Sequence, residues 1–384
     1  MAKELNVVYI GPQSFPLGHA TTKRRRYMVD YMNSHGIKCH YLVCDFKQRE
    51  KRMNEVSGNY GECVYYDITP LAQKKQFFLF WKKGKALLKE WFVEGGQNCL
   101  VFPTILDAFS YQFYLYARKL GYKIVFDQVE TSYFNLNLHR IGYMMNVYVS
   151  EWLSRKAYRH SAAFVISSNL MHENEAKYPG RRLCLLPNST PTFQREVKKE
   201  IHKPLRILYS GTYGHKDGVK YLVEGFLEAR KRKLDCELLL LGKGNPENMK
   251  VIDGIKNMDC VHYLGFVSDD ELIRQMQESD LLCMTRCNSR FANYGFPFKL
   301  SEYLATGNLV LATNVGDVCD YVKDKESALV IPTENSHAIA DAIQFAIENP
   351  ADALRIGNCG YEVMQSSFSV ESVGKTFVNF LKNL

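Results

Sequence analysis

Two charged side chains three residues apart, Lys299 and Glu302, stand in a stretch reading Asn-Tyr-Gly-Phe-Pro-Phe-Lys-Leu-Ser-Glu-Tyr-Leu-Ala-Thr-Gly-Asn-Leu-Val-Leu-Ala-Thr from Asn293 to Thr313. That spacing puts both on one face of a helix. The Lys can neutralise a phosphate, while the Glu, one turn deeper, can accept two hydroxyl hydrogen bonds from a ribose. Gly295 supplies a flexible turn, Pro297 suits the first helical position and Gly307 the residue just past the helix end. A helix that starts there turns unpaired N–H groups and the positive end of its dipole outward. A buried strand, Leu309 to Ala312, follows. The chemistry offered is recognition of a nucleoside diphosphate. A turn, helix and strand in any α/β protein gives the same local pattern, so the rest of the chain decides.

A second loop of this kind lies upstream. Ser210-Gly211-Thr212-Tyr213-Gly214-His215-Lys216-Asp217-Gly218 joins a strand, Leu205 to Tyr209, to a helix, Val219 to Lys231, with Lys216 as its cation. The strand Cys236 to Leu241 ends in Gly242-Lys243-Gly244, and Val261 to Tyr263 runs into Gly265-Phe266-Val267. Asp269, Asp270 and Glu271 after Ser268 read as helix capping rather than as metal ligands. Strands at Asp280 to Met284 and Ala328 to Ile331, and helices at Ser336 to Glu348, Ala351 to Gly357 and Ser369 to Leu384, complete this half.

The first half opens with a strand, Asn6 to Ile10, a Gly11 to Gly18 loop, a helix from Ala20 to Ser34 and a strand from Lys38 to Cys44. That is a right-handed βαβ unit, the start of a doubly wound parallel sheet. The loop lacks Gly-x-Gly-x-x-Gly spacing, which argues against an NAD enzyme. Lys23, Arg24, Arg25 and Arg26 crowd the helix start against its dipole, which suits either an anionic partner or a solvated basic face. Strands at Cys99 to Phe102 and Lys123 to Phe126 flank a helix near Phe109 to Leu120. Asp127 and Glu130 follow the second of these strands at its carboxyl end, where open α/β sheets bind ligands. A helix near Tyr148 to Arg159 leads to a strand at Ala163 to Ile166. Between Lys74 and Phe92, aromatic and Leu residues recur at helical spacing with lysines between them. Such a helix can cover a sheet, lie on an anionic membrane, or do both along different edges. Pro187-Asn188-Ser189-Thr190-Pro191 and the charged run Glu196 to Lys203 mark a linker between two domains.

Composition sets the class. The 384 residues are 46% hydrophobic and 23% charged, enough for two globular domains, and the net charge of +8 permits an anionic ligand or surface without demanding nucleic acid. The eleven Cys are scattered without Cys-x-x-Cys pairs, as reduced thiols packed like small hydrophobes would be; Cys283 and Cys287 have no following His pair at zinc spacing. No basic leader with an apolar segment opens the sequence, and no run approaches the roughly 20 apolar residues of a membrane span, so a cytoplasmic protein is expected.

In their order along the chain, these motifs resemble the family 4 glycosyltransferases of the GT-B class. The resemblance rests on Gly18-x-Ala20-x-Thr22-x-Arg24, Pro187-Asn188, Gly211 with Lys216-Asp217-Gly218, Gly242-x-Gly244, Gly265-Phe266-Val267, Glu271-Leu272, and Gly295-Phe296-Pro297 with Glu302 and Gly307. It implies an α/β fold of two Rossmann-like, doubly wound parallel-sheet domains facing a cleft. These would be an acceptor domain over 1–190, rejoined by a C-terminal helix at 368–384, and a donor domain over 191–367. The implied activity is retaining transfer of a sugar from a UDP- or GDP-linked donor to a glycan or lipid-linked acceptor in surface-polysaccharide synthesis, without cofactor or metal. Lys216, Lys299 and Glu302 would carry catalysis. Gly18, Gly211, Thr212, Gly242, Phe266, Val267, Tyr294, Gly295, Phe296, Pro297 and Leu300 would contact the donor, with Arg24, Asp127 and Glu130 on the acceptor side. The Lys74 to Phe92 segment offers peripheral contact with the inner face of the membrane. The sequence departs from the family pattern at Tyr294, where a first signature glutamate is expected, and at Thr212, where an arginine is usual. A nucleotide-sugar epimerase of the same architecture and a catalytically silent glycan-binding or scaffold protein are the competing readings.

Overall fold

A computed structural model describes residues 3–18, 20–45, 56–129, 141–194 and 200–384, with the side chains of 141–144 left aside. The charged linker run beginning at Glu196 lies partly outside the described residues. The chain forms two compact units, Met1–Pro187 with Val370–Leu384, and Asn188–Ser369.

The elements of the first unit are, in order, β1 (Leu5–Gly11), α1 (Ala20–Ser34), β2 (Lys38–Val43), β3 (Val56–Tyr60), β4 (Cys63–Asp67), α2 (Thr69–Gln73), α3 (Phe77–Glu90), β5 (Gln97–Pro103), α4 (Ala108–Leu120), β6 (Lys123–Gln128), α5 (Ile141–Tyr158), β7 (Ala162–Val165), α6 (Ser168–Lys177) and β8 (Leu183–Leu185). Their sheet runs β3-β4-β2-β1-β5-β6-β7-β8 and is parallel except for the β3–β4 hairpin. β1 is buried along its whole length, as a central parallel strand covered on both faces must be. Its one polar member, Asn6, donates to Trp91 O (2.7 Å) and to Asn98 Oδ1 (2.8 Å) on the neighbouring strand, which uses both N–H groups of the buried amide.

The second unit contains β9 (Leu205–Gly211), a 3-10 turn (His215–Asp217), α7 (Val219–Lys231), β10 (Cys236–Gly242), α8 (Pro246–Asp253), β11 (Val261–Gly265), α9 (Asp269–Glu278), β12 (Leu281–Met284), α10 (Arg290–Tyr294), α11 (Phe298–Leu304), β13 (Leu309–Thr313), α12 (Val318–Tyr321), β14 (Leu329–Ile331), α13 (Ser336–Glu348) and α14 (Pro350–Val363). Its sheet is all parallel, ordered β11-β10-β9-β12-β13-β14. The order reverses around β9, so the carboxyl ends of β9 and β12 flank a switch point, where open α/β sheets form crevices. The last helix, α15 (Val370–Lys382), belongs to the first unit and packs on α1. Gly374 permits this approach, because a Cβ there would sit 2.2 Å from the Tyr31 ring.

Two expectations are corrected. The helix expected between Lys74 and Phe92 is α3 and is shorter, Phe77–Glu90, starting after Lys75 in the left-handed region (φ 59°). Within α3, Phe80, Leu87 and Leu88 are buried in their own unit, and a Cβ on Gly84 would lie 2.5 Å from Phe113 on α4. The apolar stripe is therefore a sheet-covering face, which leaves Phe78 and Leu79 exposed. The basic run at the start of α1 is not uniformly solvated either, because Arg24 and Arg25 turn inward and are buried. All eleven Cys are free, seven of them buried. Among the described residues no helix is long and apolar enough to cross a membrane.

One buried group gives the first unit a pH-dependent stability. His40 on β2 stacks on Trp91 (centroids 4.8 Å, planes 8° apart), and neither ring nitrogen has a hydrogen-bond partner. Burial, reinforced by nearby Lys38, lowers its pKa from 6.5 to about 4. An unfolded His takes up its proton near pH 6.5 and the folded one only near 4, so acidification through that window favours the unfolded chain, at up to about 1.4 kcal/mol per pH unit. Thermal unfolding followed by circular dichroism should show Tm falling from pH 6.5 to 4.5, and His40→Phe should fall less. Parallel curves for the two proteins would refute this role.

Candidate active site

The carboxyl ends of β9 and β12 and the start of α11 converge in the second unit on one carboxylate, Asp217. Lys299, on the first turn of α11, places Nζ 3.2 Å from Asp217 Oδ1 and donates to Tyr209 OH at 2.8 Å, with the ammonium 4.3 Å from the centre of that ring. The other carboxylate oxygen accepts from Gly214 N (3.0 Å) and Thr212 Oγ1 (3.2 Å). Asp217 is thus held from both sides.

Local sequence explains the convergence. Gly211 closes β9, and a Cβ there would fall 2.4 Å from Lys299 Nζ, so glycine opens the path by which the lysine reaches the loop. Gly218 adopts φ 65°, and a Cβ on it would lie 1.8 Å from Thr285 O; only glycine allows this contact. Around it the loop is stitched to the segment after β12: Thr285 Oγ1 donates to Asp217 O (3.1 Å), and Cys287 N to Lys216 O (2.9 Å). The stitched segment carries Arg286, which is buried. α11 is fixed in turn by buried Leu300, Tyr303 and Leu304, with Tyr303 OH accepting from Ser210 N at 3.0 Å.

The electrostatics are lopsided. Burial alone would raise the Asp217 carboxyl, yet its contact with Lys299, followed by the fields of Lys216 and Arg286, outweighs burial and leaves it below the ordinary carboxylate value. Burial lowers the Lys299 ammonium; Asp217 opposes this, while Arg286 and Lys216 add to it. Three cations thus bear on Asp217, and positive charge gathered at a strand-end crevice is what a diphosphate would neutralise.

The structure distributes the expected residues unevenly. Lys216, Lys299, Gly211 and Thr212 come together around Asp217, and Lys216 Nζ also lies 4.5 Å from the Phe291 ring on α10. Glu302 is half-buried one turn beyond Lys299 on α11. Gly242 neighbours Gly211 in the sheet register, so close that a Cβ would meet Gly211 O at 1.9 Å. Phe266, 83% exposed, and half-buried Val267 lie beyond the end of β11. Tyr294 ends α10, with Arg290 over its ring.

Other placements differ from expectation. Gly295 has φ −105°, open to any residue, and Pro297 caps α11 instead of entering it. Leu300 is fully buried, and the Phe296 ring packs on Tyr321 and Phe368, so both side chains belong to the core of the second unit. In the first unit, Gly18 lies exposed in the loop before α1. Arg24 and Asp127 find each other: Arg24 Nη2 is 3.1 Å from Asp127 Oδ1, and the guanidinium also donates to Pro187 O (2.7 Å) and Leu186 O (2.9 Å). Their buried pairing corrects the expectation that they face an acceptor, since each satisfies the other. Glu130 lies outside the described residues. Tyr209, Asp217 and Arg286 were given no role from sequence. The position of Arg286 just beyond the carboxyl end of β12 was the available signal.

With this geometry in view, comparison with known proteins is informative. Residues 191–363 match the family described as Glycosyl transferases group 1. The matched stretch spans most of the second unit. The chain is 20% identical over 288 residues to alpha-D-kanosaminyltransferase of Streptomyces kanamyceticus, covering 71% of this chain and 73% of that protein. It is 21% identical over 196 residues to the amylovoran biosynthesis glycosyltransferase AmsK of Erwinia amylovora, covering 50% of this chain and 48% of the relative, about half its length. The Anabaena Alr3699/HepE structure in complex with UDP aligns with a TM-score of 0.68 at 13% identity, over 99% of this chain and 100% of that one. The fold is GT-B.

The ion pair generates a test that needs no ligand. Asp217→Ala leaves Lys299 half-buried beside two further cations, and breaking the pair should lower the unfolding free energy by about 1–3 kcal/mol. Adding Lys299→Met should recover most of that loss in chemical denaturation. Equal losses in the single and double variants would show that the two groups are not coupled.

Proposed function

We propose that this chain is a retaining glycosyltransferase that moves a sugar from a UDP- or GDP-linked donor to a glycan or lipid-linked acceptor in cell-surface polysaccharide synthesis. The observation that carries the proposal is the cluster of Lys216, Lys299 and Arg286 around a single carboxylate, in a unit matching a glycosyltransferase family. AmsK, named for amylovoran biosynthesis, supports the polysaccharide setting, and HepE in complex with UDP supports a nucleotide donor.

As the bond between the sugar and the diphosphate breaks, negative charge grows on the departing phosphate oxygens. The cluster supplies fixed positive charge at that point, and groups already in place stabilise a transition state without reorganising. Lys299 is oriented by Tyr209 and Asp217, and Lys216 is held by its main-chain bond to Cys287. In this reading Glu302, one turn deeper, receives hydroxyls of the ribose, and no metal is required because the chain itself carries the neutralising charge. The exposed Phe78 and Leu79 on α3 would contact an anionic membrane at the cytoplasmic face.

Donor turnover with UDP- and GDP-sugars tests the assignment. Lys299→Ala should lower kcat by about two to three orders of magnitude, the usual effect of losing one preorganised electrostatic contact. Glu302→Ala should mainly raise KM for the donor, and a chelator should leave the rate unchanged. Wild-type rates in both variants would remove these residues from the site, and product formation without acceptor would favour epimerisation.

A further inference from the structure

The first unit holds a second concentration of positive charge, on the edge of its sheet opposite the strand ends discussed above. A cavity of about 450 Å³ opens at the amino ends of β6 and β7, below the last turns of α4 and α5 and beside the turn after α6. Arg118, Lys123, Arg159, His160, Arg181 and Arg182 line it, and among the described residues no carboxylate side chain does.

Arg181 anchors the cavity wall. Its guanidinium donates to Ser161 O (3.0 Å), Ala162 O (3.4 Å), Gln128 Oε1 (3.3 Å) and Asn174 Oδ1, and sits 4.5 Å from the centre of the Tyr158 ring. Each of these partners is neutral, so the cation is oriented and its charge remains uncompensated. Burial lowers its pKa to about 10, partly offset by Tyr158 and Tyr178. Arg118 likewise bonds a neutral group, Tyr114 OH, at 3.3 Å.

Basic residues at helix ends commonly complement the carbonyl dipole, and the ends of α4 and α5 both lie here. Each end is worth only roughly half a negative charge. Arg182 Nη1 also donates to a Leu384 oxygen at 3.4 Å. Even a full negative charge at Leu384 would leave roughly three of the five Arg and Lys charges unmatched. An excess of this size in a concave site attracts a multiply charged anion, and arginine forks suit phosphate oxygens.

We infer that this cavity is a binding site for a di- or triphosphate group, borne by a free metabolite or by a lipid headgroup, separate from the nucleotide site of the second unit. The assignment stands whether or not the chain transfers sugars.

Inorganic tripolyphosphate is the probe, titrated calorimetrically into the full chain at about 150 mM salt, where weak surface attraction is screened. Arg159 and Arg182 are exposed, so Arg159→Ser/Arg182→Ser should fold normally. It should weaken one saturable tripolyphosphate site about ten-fold or more by removing charge-assisted contacts. Lys299→Met, altered only in the second unit, should leave that site unchanged. Co-sedimentation with vesicles carrying a lipid diphosphate separates the sources: a deficit in the double variant identifies a lipid headgroup, and unchanged sedimentation with tripolyphosphate binding lost identifies a free anion. Absence of saturable binding in the wild type, or equal affinity in the double variant, would overturn the inference.

Discussion

The second unit is organised around a partly buried ion pair between elements 82 residues apart in sequence, Lys299 on α11 and Asp217 in the turn after β9. Neither partner is tolerable alone at its level of burial, because an isolated ion in a protein interior carries a large desolvation penalty. The pair therefore demands the features around it. Gly211 must lack a side chain for the ammonium to pass, Gly218 must turn left-handed against Thr285, and Tyr303 must tie α11 to the end of β9. One electrostatic requirement thus accounts for two glycines, a tyrosine and the seating of a seven-residue helix too short to be stable by itself.

Arg24 in the first unit and Arg286 in the second are placed differently, and the difference bears on what each can bind. In the first unit Arg24 is matched by Asp127 and two carbonyls, an arrangement already complete. Around Asp217 one carboxylate faces three cations. A matched pair fixes structure and resists substitution; a cluster of cations beside one carboxylate can also meet an anion. The same distinction separates helix-start arginines that read as a ligand patch from those that serve the core, and it depends on partners that are remote in sequence.

That remoteness explains what was legible. α1, α7 and α13 appear with the boundaries expected, because apolar periodicity and punctuating residues such as Gly36 define them locally. The parallel core strands were equally plain as short apolar runs between turns. The β3–β4 hairpin was not, since β3 is mostly exposed and includes the polar run Ser57-Gly58-Asn59. Lys216 and Lys299 could be nominated from their loops. Their meeting at Asp217 could not, nor could the capture of Arg24 by Asp127, 103 residues away.

Thr212 illustrates how a departure from a family pattern acquires a physical role. Where an arginine would add a further positive charge, the threonine hydroxyl donates to Asp217 Oδ2 and helps hold the carboxylate that holds Lys299. The buried Arg286 approaches the same carboxylate from the segment after β12 and contributes to its field. Positive charge is thus present at the strand ends without an arginine in the glycine loop, delivered from a neighbouring strand instead. Because electrostatic stabilisation depends on where a charge sits and how rigidly it is held, and not on which loop carries it, a cation supplied by β12 can serve a departing diphosphate as well as one supplied by β9.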